Sequence, residues 1–173
     1  MRPRALLLAA ALAASTACGS GGDGSARTLG PAPGGTVELT RSGGCGEAFL
    51  WAATEDGTTV VTVGVGTDRY STTDPVVVAV DLADPEVDGA LLRGDGDLTR
   101  NLCVDVLDDD AEPDGTVALA AGAGELVIGT IPTDVPACGN VDGTLDLDGV
   151  EATDGTTIGS VHAETGSIGC FAG

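Results

Sequence analysis

The sequence predicts an all-β protein: an antiparallel β-sandwich, immunoglobulin-like or related, held by two disulfides. Three observations predict it. Short apolar runs rich in Val, Leu and Ile recur along the chain, broken by Gly, Asp and Pro at a spacing of about 8–12 residues. Some runs alternate apolar and polar residues with period two. Four cysteines are scattered through the same region, as cross-links are, rather than in CxxC-type pairs.

Residues 1–17 read as a signal peptide. Met1-Arg2-Pro3-Arg4 is a basic start, Ala5 to Ala14 an apolar run, and Ser15-Thr16-Ala17 a small-residue cleavage site. The run is too short to span a bilayer, which takes about 20 apolar residues. Small residues before Cys18 match a bacterial lipobox, with Ser15 where such boxes usually carry Leu. Cys18 is therefore expected to carry a lipid. The cysteine count agrees: Cys18, Cys45, Cys103, Cys138 and Cys170 make an odd number, and acylating Cys18 leaves four that can pair completely. A free or intermolecular Cys18 is the alternative. Residues 18–34, rich in Gly, Ser and Pro, read as the lipidated cysteine and a flexible tether.

Residues 35–173 form a single predicted domain, long enough to bury a core of Val, Leu, Ile and Ala. Thr36–Arg41 alternates, placing Val37 and Leu39 on one face. Ala48–Thr54 leads through Glu55-Asp56-Gly57 into Thr58–Val65, and Asp-Gly between two apolar runs signals a hairpin. Val76–Leu82 is nearly continuous and β-branched, as in a central strand. Further strands are expected at Ala90–Leu92, Leu102–Leu107, Thr116–Leu119, Glu125–Ile131, Gly143–Leu147, Thr156–Val161 and Ser167–Phe171. The Ala-rich stretch Ala118–Ala123 is not read as a helix, because Gly122 and Gly124 interrupt it.

Four cysteines allow three pairings, of which Cys45–Cys103 with Cys138–Cys170 is favoured, one bridge in each half of the domain. In the chain-entropy model, closing loops of about 59 and 33 residues is worth about 4 kcal/mol each. Gly44-Cys45-Gly46-Glu47-Ala48-Phe49-Leu50-Trp51-Ala52-Ala53, Cys103-Val104-Asp105-Val106 and Gly169-Cys170-Phe171-Ala172-Gly173 together resemble a group of uncharacterised exported proteins of high-GC Gram-positive bacteria, often lipid-anchored. The resemblance implies export and supports the Cys45–Cys103 pairing. It implies no activity and no catalytic residue.

Charge narrows the partners. The chain carries 27 Asp and Glu against seven Lys and Arg, a formal charge of −20. There is no Lys, and removal of Arg2 and Arg4 with the signal leaves 5 − 27 = −22. Such a chain repels nucleic acid and anionic head groups, so the lipid must be the anchor. High negative charge also favours a monomer.

Two acidic hexapeptides share the pattern D-x-E-x-D-G: Asp84, Glu86 and Asp88 in one, Asp110, Glu112 and Asp114 in the other. Alternating carboxylates on a Gly-closed loop can wrap a hard cation, so calcium is the candidate cofactor; solvated hairpin loops are the plain reading. His162 is the only His, two residues after Ser160, and no G-x-S-x-G elbow is present. Trp51, the single Trp, shares a strand face with Phe49 and is a candidate binding platform or a core anchor. The expected function is that of a lipid-anchored protein on the extracellular face of the cell membrane, a non-catalytic binding or interaction module. The alternatives are an envelope hydrolase using carboxylates, or a calcium-binding surface domain.

Overall fold

The computed structural model describes residues 37–46, 48–66, 75–129 and 141–168. The tether with Cys18, and the cysteines Cys138 and Cys170, lie outside the described residues. Eight strands form: β1 (Arg41–Cys45), β2 (Phe49–Ala53), β3 (Thr59–Val65), β4 (Val76–Asp81), β5 (Val87–Arg93), β6 (Gly115–Ile128), β7 (Val141–Ala152) and β8 (Thr157–Ile168).

The strands make one antiparallel sheet in the order β1-β2-β3-β5-β6-β7-β8, with β4 paired to β6 beside this path. Seven strands joined by antiparallel pairs leave the first and the last pointing the same way. The ring can therefore close only through a parallel seam, and it does. Gly46 bridges Ile168 in parallel. The Glu164 N–H donates to Ser42 Oγ at 3.1 Å, and Thr165 Oγ1 donates to the Gly44 carbonyl at 3.0 Å. The result is a nearly closed, barrel-like sheet.

The sequence predicts two packed sheets instead, and β6 is the reason one forms. Its residues Gly115–Ala118 pair with β5, and Ala123–Ile128 with β4, so the strand runs through both halves. β4 and β5 lie end to end along the same edge of β6. The Ala-rich stretch is where β6 bends, with register shifts between Leu119 and Ala123. Gly122 takes φ +137°, and a Cβ there would meet Leu82 and Val150 at 2.8 and 2.9 Å. Only glycine fits this bend between the halves.

The barrel interior is aliphatic. Leu50, Val61, Val63, Leu91, Leu126, Leu145, Val161 and Ile168 point inward and are almost fully buried. The alternation read at the first strand is present, with Val37 buried and Leu39 packed against the core, but the strand itself begins at Arg41, where the sequence predicts its end. Gly43 and Gly44 argue against a strand there. They are accommodated because the Trp51 indole roofs Gly43, where a Cβ would lie 2.5 Å from Cζ2. The Asp56-Gly57 hairpin forms as expected, with Gly57 at φ +72°.

Residues 94–114, between β5 and β6, lie on the outer face of the sheet. Leu98 and Leu102 from this loop pack on Ala53, Val60, Trp51 and Leu92 as a small second core. Asp97 caps the 3-10 turn Leu98–Asn101 by accepting from the Thr99 N–H. The Cys45–Cys103 disulfide ties the loop to β1, with Cα atoms 5.7 Å apart, as the favoured pairing requires. Leu102–Leu107 is not the strand expected. Cys103 has φ +61°, which breaks an extended chain, and Val104, Val106 and Leu107 are 48, 83 and 64% exposed. Cys103 is thus near solvent, not within a core strand.

Leu98→Ala should lower stability by about 2–4 kcal/mol in denaturant unfolding, because it opens the second core. Leu107→Ala, in the same loop but exposed, should stay within about 0.5 kcal/mol of wild type. Equal losses would mean that the loop packs differently.

Candidate functional site: an acidic outer face and a fastened apolar loop

Register places the exposed side chains of the β4–β6–β7–β8 half in rows. Glu125 faces Asp146, which faces His162. Val127 faces Thr144, which faces Glu164. The rows form an acidic outer face with His162 within it. His162 Nδ1 lies 2.6 Å from Asp146 Oδ1, and Nε2 lies 3.3 Å from Glu164 Oε1. The hydrogen bond that His162 donates to the Asp146 carboxylate, assisted by Glu164, raises the His162 pKa above its usual 6.5.

This pair does not extend to a nucleophile. Ser160 Oγ donates to Asp148 at 2.8 Å, across to β7, while the second His162 nitrogen faces Glu164. A Ser-His-Asp relay needs the hydroxyl on that nitrogen. Beside it, Asp142, Gly143, Thr144, Glu164, Thr165 and Gly166 line a cleft of about 420 Å³. Asp142 and Glu164 are both exposed, so the cleft offers its carboxylates in water rather than in dry surroundings.

The two acidic hexapeptides are used differently from each other. Asp84 sits in the turn between β4 and β5, where its Oδ1 accepts from the Glu86 N–H at 3.0 Å, and Asp88 lies on β5. Asp110 belongs to the 3-10 turn Asp109–Ala111, its N–H donated to Asp108 Oδ1, and Glu112 and Asp114 lead into β6. Among the described residues no three His, Cys, Asp or Glu side chains converge as a metal-holding group. Trp51 does share the outer face with Phe49, but it is half-buried against Gly43 and the second core. A smaller cleft of about 350 Å³ beside Phe49 is floored by Thr62, Gly64, Gly89 and Ala90 and edged by Asp88.

The loop 94–114 is the feature sequence reasoning placed wrongly. Asn101 fastens it from within: Nδ2 donates to the carbonyls of Asp108 and Ala111 at 2.8 and 3.1 Å, and Oδ1 accepts from the Asp108 N–H at 2.7 Å. Arg41 donates to Asp97 and Thr99 at 3.1 and 2.7 Å, joining the loop to β1. Arg100 pairs with Asp108. At the same end of the strands, Arg93 on β5 bonds Asp154 at 2.8 Å and Thr156 at 2.6 Å. Arg93, followed by the Thr156 N–H, lowers the Asp154 pKa to about 2. All three described arginines are thus committed to structural pairs, and the acidic face keeps its charge.

Charged His162 should stabilise the fold below about pH 6.5, and this contribution should be lost as pH rises through its elevated folded pKa. The melting-temperature gap between wild type and His162→Asn should therefore be larger at about pH 5.5 than at about pH 8.5. A gap independent of pH would show that the carboxylates do not hold the imidazolium.

No family model, curated protein or solved structure matches this chain.

Proposed function

We propose that the chain is an exported protein held by a lipid on Cys18 at the extracellular face of the membrane, where it acts as a non-catalytic interaction module. The observation that carries this reading is the Cys45–Cys103 disulfide. Such bonds persist in oxidising compartments, which is where a signal peptide leads. With that pair joined, Cys18, Cys138 and Cys170 remain. A Cys138–Cys170 bond would use two of them and leave Cys18 for the lipid. The resemblance of the cysteine-bearing segments to exported proteins of high-GC Gram-positive bacteria supports the same compartment. The commitment of Ser160 to Asp148, away from His162, supports binding over acyl-transfer chemistry.

Detergent-phase partitioning tests the anchor. Wild type should enter the detergent phase, and Cys18→Ala should remain in the aqueous phase or appear in the medium. Equal membrane retention of both proteins would overturn the lipid assignment.

A further inference from the structure

We infer that the tip of the loop 94–114, Val104, Val106 and Leu107, is a docking site for a cationic protein surface that offers an apolar notch. The inference rests on the interaction-module reading and names the surface and partner class that it lacks.

These three side chains are among the five exposed large hydrophobics of the described residues, and they lie within four positions of one another. An apolar cluster in water is costly to keep unless something covers it. This one is not a loose end. The loop is tied to β1 by the disulfide and closed by the three Asn101 hydrogen bonds, and it rests on Leu98 and Leu102. A presentation fixed in this way reduces the ordering cost of binding. It resembles the build of an anchor that enters a partner's pocket, with supporting residues holding its backbone.

Charge selects the occupant. Asp105, Asp109, Asp110 and Glu112 stand at or beside the tip, and Arg100 is already paired with Asp108. An anionic bilayer, nucleic acid and a second copy of a chain of charge −20 are all repelled by that surround. A partner carrying Lys or Arg around an apolar notch meets complementary charge at the rim and buries Val106 and Leu107 at the centre.

The test uses the full chain in neutral phosphatidylcholine nanodiscs and a fluorescent amphipathic helical peptide of Lys and Leu, with empty nanodiscs as blank. Wild type should bind the peptide in low salt. Val106→Ser with Leu107→Ser should weaken binding by about tenfold or more. Glu125→Gln with Glu151→Gln, exposed acidic positions on β6 and β7, should change it by less than about twofold. All three proteins should melt alike in circular dichroism, because the substituted side chains are exposed. Equal affinity in the loop variant would overturn the assignment of the tip while leaving an acidic interaction module in place. Preferential binding of the tip to phosphatidylglycerol vesicles, or loop-dependent self-association in sedimentation, would overturn the partner class. No binding by wild type would overturn the docking proposal, and the anchor would still stand or fall on detergent partitioning.

Discussion

The structure depends on the parity of its strands. A ring of seven strands joined by six antiparallel pairings cannot close on itself in an antiparallel way, so β1 and β8 must meet in parallel. That seam is short because β1 has five residues against the twelve of β8. Side chains supply part of what a backbone ladder would: Ser42 exchanges hydrogen bonds with the Glu164 backbone, and Thr165 reaches the Gly44 carbonyl. Closure turns Leu50, Val63, Leu145 and Ile168 toward one another in a single aliphatic interior. With Phe49 and Trp51 both on the outer face, the interior described here has no need of aromatic side chains.

Closure also decides what is left outside. The outer face of one half carries a second, smaller core under the loop 94–114. The outer face of the other carries carboxylates with one imidazole among them. Arginine goes to the joints: Arg41 fixes the loop to β1, Arg93 fixes β5 to the β7–β8 turn, and Arg100 closes the loop on Asp108. Surface ion pairs of this kind contribute little stability singly. Their consequence is electrostatic, since they leave the acidic residues of the outer face and the loop tip available to define a charged surround.

Much of the strand set was legible in the sequence, because period two and Asp-Gly turns are local signals. The β2–β3 hairpin and the position of β4 follow from local features. β4 is not the central strand expected: it pairs only with β6, and Val77 on its outer face is 60% exposed. The single curled sheet was not legible, because it follows from one strand, β6, running through both halves. Two segments read as separate, Thr116–Leu119 and Glu125–Ile131, are joined in β6 across the Gly122 bend as far as Ile128. The loop tip was misread for a different reason. Leu102, Val104 and Val106 alternate as a strand does, yet the acidic run after them offers no ladder, and Asn101 closes the chain into a loop instead. Spacing could not show this, since the bonds run from a side chain to backbone groups seven and ten positions away. The Asp146–His162 pair was equally hidden, because it exists only in the β7–β8 register.

The parallel seam is tested most directly by nuclear Overhauser contacts between backbone protons of β1 and β8. Ser42 should show contacts to Glu164, Gly44 to Thr165 and Gly46 to Ile168, advancing together along both strands. Contacts that advance in opposite directions, or none between the two strands, would contradict a barrel closed in parallel and leave an open sheet.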